Sequence, residues 1–417
     1  MAPDPRNAAA GPRAPPARPA EESALNAPET FAAPGDGVPT VRLLDPSGAR
    51  LTDPDHPAPE PGSPAETSFL LAAHRDMTLV RRLDIEATAL QRQGELALWA
   101  SALGQEAAQV GAAAALLPAD HVFPSYREHG LAWCRGVAPM ELLSLFRGVD
   151  FGSWDTERAG MHLYTLVVGA QTLHATGYAM GIQRDGLVGN GGIGNGGAGR
   201  GRERDAAVLA AFGDGATAQG DVNEAMLWAG VMNAPVVFFC QNNQWAISAP
   251  VERQSAAPIY RRAAGFGFPG VRVDGNDVLA TRAVVGAAMS RARAGQGPTL
   301  VEAFTYRMAA HTTADDATRY RMAEEDAHWR GRDPIDRVER YLRAGGHLDD
   351  AALARVGAEA DELARAIRRG VRELPDPDPR GLFENAYESL PQELAEQRAA
   401  WVAYQQTLAV EPVGAGS

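Results

Sequence analysis

Two short polar motifs in the middle of the chain could together bind a divalent metal and a diphosphate. A Gly-Asp-Gly motif occupies positions 213–215, and an Asn-Asn pair occupies positions 242–243. Asp214 offers a carboxylate oxygen and Asn243 an amide oxygen, hard ligands of the kind that Mg²⁺ prefers, and glycine lets a phosphate approach the backbone closely. Each motif alone is typical of an ordinary turn. Their combination predicts a Mg²⁺–diphosphate site.

Both motifs follow short segments that have the pattern of buried β-strands. Residues 207–212 and 235–240 are apolar throughout, as is typical of parallel strands covered on both faces. Residues 221–231 between them have the pattern of a crossover helix, and residues 298–304 predict a further strand. Because ligands bind at the carboxyl ends of parallel strands, both motifs are expected at that edge. The pattern predicts an α/β fold with a doubly wound, mostly parallel sheet and flanking helices.

The rest of the chain divides into regions of different composition. Apolar residues have helical spacing at 74–94, and an Ala-rich helix is predicted at 106–117. Residues 333–370 and 391–410 are also predicted to be helical, which gives the chain a helical C-terminal part. The predicted organisation is a disordered Pro/Ala-rich N-terminal extension at 1–65, an α/β domain at 66–375 and a C-terminal helical tail at 376–417.

The composition argues against several classes of function. A net charge of −13 and a pI of about 5.2 disfavour nucleic-acid binding as the main function. No apolar run reaches the roughly 18–20 residues of a membrane span, and the first ten residues lack the apolar core of a secretory signal. Arginines at positions 6, 13 and 18 leave a transit peptide open, although nearby acidic residues and prolines argue against it. Cys134 and Cys240 are too few for a disulfide framework, so a bacterial cytoplasm is the expected compartment.

A glycine-rich segment at 184–204 interrupts the strand–helix alternation. It contains two formal G-x-G-x-x-G matches, at 189–194 and 194–199, which make an NAD-binding oxidoreductase an alternative. No predicted strand leads into the segment, and charged residues follow it at 200–205. We therefore interpret it as a flexible surface insertion.

The two motifs and several further segments resemble one known family. They are similar to the α subunit of the thiamine-diphosphate-dependent E1 component of 2-oxoacid dehydrogenase complexes, in particular the branched-chain type. The resemblance extends from about residue 75 to residue 405, apart from the glycine-rich segment. The resembling segments are 104–107, 122–130, 168–171, 213–215, 242–243, 272–278, 306–307, 311, 315–316 and 320–321.

This resemblance implies a cofactor, a reaction and a set of site residues. Thiamine diphosphate and Mg²⁺ would support oxidative decarboxylation of a branched-chain 2-oxoacid, with reductive transfer of the acyl group to a lipoyl arm on the E2 acyltransferase. Asp214, Asn243 and the main-chain carbonyl of Trp245 would hold Mg²⁺. His311 would face the cofactor's thiazolium ring and act in catalysis, and Arg307 would order the same loop. The implied cofactor-binding set is Tyr126, Arg127, Leu166, Val168, Gly213, Asp214, Gly215, Ala216, Gln241, Asn243, Ile247, Arg307 and His311.

Some positions depart from the family pattern. Trp245 stands where the family usually has Tyr, a change that a main-chain ligand tolerates. Gln241 stands where branched-chain relatives often have Arg, which predicts a weaker contact to the diphosphate. Of the residues that form a potassium site in some relatives only Gln171 remains, so that site is not expected. Thr312 occupies the place of a serine that is phosphorylated in animal relatives, and the same regulation is not expected here.

The resemblance also implies that the chain forms half of an active site. In this family the glutamate that activates the cofactor belongs to the β subunit, and the present sequence has room for only one cofactor-binding α/β module. We therefore expect an α2β2 heterotetramer and no activity from the chain alone. Pyruvate dehydrogenase E1α and acetoin dehydrogenase α remain alternatives, although the adjacent aspartates at 315–316 favour the branched-chain type. A non-catalytic assembly subunit is disfavoured, because the metal, diphosphate and catalytic residues are all present.

Overall fold

A central parallel sheet organises the chain. The computed structural model describes residues 37–150, 154–189, 205–375, 381–384 and 387–408. The strands are β1 (His121–Phe123), β2 (Val208–Gly213), β3 (Val236–Asn242), β4 (Trp245–Ala246), β5 (Ala249–Pro250), β6 (Gly270–Asp274) and β7 (Thr299–Phe304). Five of them form one parallel sheet in the order β1-β2-β3-β7-β6, while β4 and β5 form a short antiparallel hairpin directly after β3.

Helices cover both faces of this sheet. Successive side chains of a strand point to opposite faces, and along β2 they alternate between two separate apolar clusters. One cluster includes residues of α6 and α7, and the other includes residues of α1, α2 and α8. The helices are α1 (Pro64–Arg92), α2 (Glu106–Ala113), α3 (His129–Cys134), α4 (Pro139–Arg147), α5 (Thr156–Ala159), α6 (Gln171–Arg184), α7 (Gly220–Met232), α8 (Val278–Arg293), α9 (Ala323–Arg330), α10 (Pro334–Ala344), α11 (Asp350–Glu373), α12 (Gly381–Glu384) and α13 (Gln392–Leu408).

This architecture confirms the predicted doubly wound α/β fold with a helical C-terminal part. The three predicted strands are β2, β3 and β7, and the predicted crossover helix is α7. The helix predicted at 106–117 is α2, which ends at Ala113 instead, four residues early. Strands β1 and β6 were not predicted. In the part of the chain that the structure describes, residues after Asp316 contain no strand, so no second sheet follows.

The segment before α1 differs from the predicted disordered extension. Val41 forms a parallel bridge with Val273 at the edge strand β6, and Leu43 and Leu44 are buried in the core. Asp277, which caps the first turn of α8, accepts hydrogen bonds from the backbone N–H groups of Leu43 (2.7 Å) and Leu44 (2.6 Å). Residues 41–50 therefore pack against the α/β domain, which begins well before residue 66. Residues 1–36 lie outside the described part of the chain.

Most of the glycine-rich segment also lies outside the described residues, which resume at position 205. The element that leads towards it is helix α6, followed by a turn up to residue 189. A dinucleotide-binding fingerprint requires a strand at this place, so the context does not favour the NAD-binding alternative. Among the described helices, none is long and apolar enough to cross a membrane.

Candidate active site

The two motifs meet at the carboxyl edge of the sheet. Asp214 begins a short 3₁₀ turn directly after β2, and Asn243 directly follows the neighbouring strand β3. Gly215 lies under the β4–β5 hairpin, where a Cβ atom would come within 2.8 Å of the Ala246 side chain. Glycine at this position therefore lets the hairpin approach the turn closely.

A cavity of about 700 Å³ opens at this edge. Every residue that the sequence singled out for the cofactor or the metal lines it, so the fold brings together segments separated by up to 185 positions. The predicted residues in its wall are Tyr126, Arg127, Leu166, Val168, Gly213, Asp214, Gly215, Ala216, Gln241, Asn243, Trp245, Ile247, Arg307 and His311.

Asp214 is almost completely buried, and its carboxylate faces few donors. The side-chain amide of Gln254 donates a hydrogen bond of 3.1 Å to its Oδ2 atom. Burial raises the pKa of Asp214 to about 6, and the Gln254 hydrogen bond and the charge of Arg307 act in the opposite direction. A carboxylate in this environment gains strongly from a nearby cation, which is the property that a metal ligand needs.

The guanidinium of Arg307 shows where the oxygen atoms of the site converge. Its Nη1 atom donates to the carbonyl of Trp245 (2.8 Å) and, at longer range, to Oδ1 of Asn243 (3.4 Å), and Nη2 donates to the carbonyl of Ile247 (3.3 Å). The Asn243 amide is oriented by its Nδ2 atom, which donates to Gln105 Oε1 (2.8 Å). Oxygens predicted for a metal thus already face one cationic group.

Arg127 and His311 meet on another wall of the cavity. Arg127 donates through Nη1 to the carbonyl of Ser101 (2.5 Å) and through Nη2 to the carbonyl of His311 (2.8 Å). The same Nη2 atom lies 3.2 Å from Nδ1 of His311. The Tyr126 hydroxyl lies 3.5 Å from His311 Nε2. The residues predicted for the diphosphate and for catalysis are therefore direct neighbours.

His311 is neutral in this environment. Burial, together with the positive charges of Arg127 and Arg307, lowers its pKa to about 3. Because a guanidinium can only donate, the Nδ1 atom that faces Arg127 accepts, and the ring proton lies on Nε2. His311 thus presents Nε2–H towards Tyr126 and could accept a proton only from a strong acid.

A buried amide network supports these residues, and of its members sequence reasoning assigned only Gln241 to the site. Glu128 accepts hydrogen bonds from Ser125 Oγ (2.7 Å) and Gln241 Nε2 (2.8 Å), and burial raises its pKa. Gln241 also accepts from the amides of Gln105 (3.2 Å) and Gln109 (3.0 Å). Gln241 therefore lines the cavity while bonding mainly to protein groups, and it links the turn before α3 to the end of β3.

An apolar rim, which we define as residues 163–168 together with Ile247, borders the cavity. Leu166 and Val167 are 64% and 69% exposed, and Ile247 is 53% exposed. Core packing therefore does not account for these side chains. Among the described residues that line the cavity, Asp214 and Glu128 are the carboxylic acids. Both belong to the polar wall, which we define as Tyr126, Arg127, Glu128, Asp214, Gln241, Asn243, Trp245, Arg307 and His311.

Two further contacts to the polar wall come from residues that the sequence gave no reason to single out. Gln254 reaches Asp214 across 40 positions, and Glu325 reaches the Trp245 indole across 80 positions. Glu128 lies within a segment that resembles the family, which was the available signal for it. No motif or periodicity marks Gln254 or Glu325.

Comparison with known sequences agrees with this geometry. The family model described as "Dehydrogenase E1 component" matches residues 74–379. The chain belongs to the dehydrogenase E1 component family. It is 46% identical over 323 residues to the 3-methyl-2-oxobutanoate dehydrogenase subunit alpha of Mycobacterium tuberculosis, which covers 77% of this chain and 83% of the relative.

Two further relatives with other names are less similar to this chain. The pyruvate dehydrogenase E1 component subunit alpha of Acholeplasma laidlawii is 36% identical over 349 residues, covering 81% of this chain and 93% of the relative. The mitochondrial 2-oxoisovalerate dehydrogenase subunit alpha 2 of Arabidopsis thaliana is 30% identical over 371 residues, covering 86% of this chain and 74% of the relative. The resemblance read from the motifs is thereby confirmed.

Membership of the dehydrogenase E1 family implies thiamine diphosphate as the cofactor, and the donor set suits it. Two guanidinium groups, one carboxylate and a glycine-lined turn surround the polar end of the cavity, as a diphosphate requires. In the described part of the chain, no group of three or more His, Cys, Asp or Glu side chains could hold a metal. A metal in this cavity would depend on amide, main-chain and phosphate oxygens beside Asp214.

Proposed function

We propose that this chain is the α subunit of a branched-chain 2-oxoacid dehydrogenase E1. It acts with a β subunit in an α2β2 heterotetramer in the bacterial cytoplasm. The reaction is oxidative decarboxylation of 3-methyl-2-oxobutanoate and related 2-oxoacids, with reductive acylation of the lipoyl group of an E2 acyltransferase. The observation that supports this proposal most directly is the convergence of the Trp245 carbonyl and Asn243 Oδ1 on one cationic group beside Asp214.

We assign the polar wall to Mg²⁺ and the diphosphate. Asp214, Asn243 and the carbonyl of Trp245 supply one carboxylate, one amide and one main-chain oxygen, and two phosphate oxygens would complete most of an octahedral shell. Arg127 offers a planar donor group suited to phosphate oxygens. Gly215 and Ala216, which belong to the turn that begins at Asp214, line the same region of the cavity.

The chain's own residues hold the reacting region in place. Thiamine diphosphate, when bound, supplies a nucleophilic carbon for the keto group and accepts the electron pair that carbon dioxide leaves behind. His311, neutral and hydrogen-bonded on both ring nitrogens, can orient a substrate oxygen through its Nε2–H group. The apolar rim would exclude water from this region.

We infer that the β subunit is needed because, among the residues that the structure describes, none supplies a carboxylate to the apolar half of the cavity. Activation of the cofactor requires a carboxylate near its pyrimidine ring, and Asp214 and Glu128 both lie on the polar wall, with Glu128 bonded to Ser125 and Gln241. The exposed side chains of the apolar rim are suited to burial by another polypeptide. We assign both missing parts, the carboxylate and the cover, to the β subunit.

The branched-chain preference follows from the comparisons. The Mycobacterium tuberculosis relative named for 3-methyl-2-oxobutanoate is 46% identical, whereas the relative from Acholeplasma laidlawii named for pyruvate is 36% identical. An α subunit for pyruvate or acetoin is the second candidate, because the walls of the substrate pocket come partly from β.

Reconstitution tests the proposed activity. The chain would be co-purified with its β subunit and assayed with an artificial electron acceptor, using 3-methyl-2-oxobutanoate, 4-methyl-2-oxopentanoate and pyruvate at equal concentrations. We expect kcat/KM at least about tenfold higher for the branched substrates, since one or two buried methyl groups contribute about 1–3 kcal/mol. A preference for pyruvate would refute the branched-chain assignment, and robust turnover by the chain alone would refute the two-chain site.

A further inference from the structure

The turn that follows β3 has an unusual backbone conformation. Gln244 and Ile247 have φ angles of +73° and +55°, in the left-handed region that side chains other than glycine rarely adopt. The conformation is least favourable for a β-branched residue such as Ile247. Such a backbone persists only where surrounding contacts hold it. Tertiary contacts, rather than local preference, therefore set the shape of residues 244–247.

This shape points two main-chain oxygens to one place. The carbonyls of Trp245 and Ile247 both accept hydrogen bonds from the guanidinium of Arg307, at 2.8 and 3.3 Å. The N–H of Trp245 donates to Asn243 Oδ1 at 3.2 Å, which ties the turn to the end of β3. A rotation of the backbone at Trp245 would move its carbonyl and disturb the Asn243 amide at the same time.

Helix α9 fixes the side chain of Trp245. The indole Nε1–H donates a hydrogen bond of 2.8 Å to Oε1 of Glu325, whose residue is 6% exposed. The indole also packs against a cluster that includes Tyr306 and Trp329. A hydrogen bond to a carboxylate is stronger and more directional than one between neutral groups. Since the ring is attached beside the carbonyl, fixing the ring restricts the backbone.

We propose that Glu325 is a positioning residue for the metal site. Its carboxylate holds the Trp245 indole, and through it the strained turn, so that the Trp245 carbonyl faces the metal. Glu325 lies outside the cavity wall, so in this proposal it acts through Trp245 and not as a ligand. The inference rests on the proposed function, because it assumes that the Trp245 carbonyl is a Mg²⁺ ligand. Residues that orient metal ligands in this way typically change metal affinity by 10–100-fold when they are replaced.

The test uses the complex of this chain with its β subunit and measures the Mg²⁺ concentration that gives half-maximal binding of thiamine diphosphate, by titration calorimetry. Four substitutions are compared with the wild type. Glu325→Leu removes the acceptor, Glu325→Gln keeps an acceptor oxygen, and Trp245→Phe removes the donor but keeps the main-chain carbonyl. Glu324→Leu, at an exposed position beside Glu325 on α9, changes the charge without this contact and is the matched control.

We expect Glu325→Leu and Trp245→Phe to raise the half-saturating Mg²⁺ concentration about tenfold or more. For Glu325→Gln and Glu324→Leu, the half-saturating Mg²⁺ concentration should remain within about twofold of the wild-type value. For the double substitution Trp245→Phe/Glu325→Leu, it should be no higher than for the more strongly affected single variant, because both changes remove the same contact. Thermal unfolding is recorded for each variant. A lower unfolding temperature with unchanged Mg²⁺ half-saturation in both Glu325→Leu and Trp245→Phe would overturn the inference, because it would indicate a purely structural contact. Wild-type binding of thiamine diphosphate that does not depend on Mg²⁺ would instead overturn the proposed metal site.

Discussion

The polar wall and the apolar rim of the cavity differ in how completely this chain builds them. Asp214 and Arg307 on the polar wall are each 1% exposed, and their side chains are bonded to or close to residues from several parts of the sequence. Leu166 and Val167 on the rim are more than 60% exposed, so the described part of the chain leaves most of their surface uncovered. Folding of this chain completes the polar wall, whereas we propose that association with the β subunit covers the rim.

The difference follows from where each half sits in the fold. The polar wall is formed at the ends of β2 and β3, whose side chains pack into two apolar clusters on opposite sheet faces, so its position is fixed by the core. Apart from Ile247, the rim is formed by residues 163–168, a segment without helix or strand between α5 and α6. A rigid wall suits the binding of a charged diphosphate, and an exposed apolar segment suits a partner surface.

Substitution of Asp214 provides the largest expected effect and tests the polar wall. Asp214→Ala should weaken Mg²⁺-dependent binding of thiamine diphosphate to the αβ complex by about 1,000-fold, since loss of a buried charged partner costs about 2–5 kcal/mol. Titration calorimetry measures the affinity, and the exposed Asp350→Ala is the control. An unchanged affinity for thiamine diphosphate in the presence of Mg²⁺ would refute the assignment of Asp214 as a metal ligand.

The stability of the same variant separates loss of a ligand from misfolding. The folded-state pKa of Asp214 is about 6 against 3.8 for an ordinary aspartate, so its ionised form destabilises the metal-free fold above about pH 6. Metal-free Asp214→Ala should therefore unfold at a temperature no lower than the wild type at pH 7.5. A clear drop in unfolding temperature would instead attribute the loss of cofactor to misfolding.

Substitution at the rim should have a smaller effect, and on association rather than on the metal. Val167→Glu places an unpaired charge where we expect the β subunit, and should weaken αβ association about 100-fold, or roughly 3 kcal/mol. Sedimentation velocity or light scattering over a dilution series measures the association. The control is Ile85→Glu, at an exposed apolar position on α1. If Val167→Glu leaves αβ association intact and lowers cofactor affinity as much as Asp214→Ala does, the rim binds the cofactor and not the β subunit. The proposed difference between the polar wall and the rim would then be wrong.

The sequence could predict part of the polar wall from topology, whereas Arg127, Arg307 and His311 were implied only by the family resemblance. Once β2 and β3 are recognised as parallel strands, Asp214 and Asn243 must lie at the same edge. Glu325 could not be predicted, because its contact with Trp245 depends on how α9 packs, and no local pattern encodes that. A resemblance can carry over a family's ligands, but contacts that orient them have to be read from the fold.

The elements that were missed have physical reasons of their own. Strand β6 contains Arg272, which looks solvent-exposed in the sequence but is 4% exposed and lies 3.7 Å from the centre of the Phe304 ring. Strand β1 has three residues, too few for a periodic signal. Residues 41–50 have the composition of a loop, and backbone hydrogen bonds to Asp277 hold two of them in place, which composition does not reveal.

His129 connects the two halves of the site and offers the smallest, pH-dependent test of their difference. It follows Arg127 by two positions, stacks on Trp99 at 4.2 Å, and its Nε2 lies 2.8 Å from the carbonyl of Ala100. Its Nδ1 lies 3.0 Å from the hydroxyl of Tyr164, which belongs to the rim segment. Since the carbonyl can only accept, Nε2 carries the proton and Nδ1 accepts from Tyr164.

The pH dependence follows from this tautomer. Burial, with a smaller contribution from the positive charge of Arg127, lowers the pKa of His129 from 6.5 to about 3. The neutral ring therefore stabilises the fold fully above pH 6.5, and this contribution is lost progressively as the pH falls from 6.5 towards 3, by up to about 1.4 kcal/mol per pH unit.

His129→Gln should lower the free energy of unfolding by about 1–3 kcal/mol at pH 7.5. Between pH 6.5 and 4.5 the free energy of unfolding of this variant should also fall less steeply than that of the wild type, by up to about 1.4 kcal/mol per pH unit. Urea unfolding at several pH values measures both quantities, with the exposed His174→Gln as the control. If the free energies of unfolding of His129→Gln and the wild type change in parallel with pH, His129 is not held neutral by burial. Its contacts would then not connect the polar wall to the rim in the way proposed.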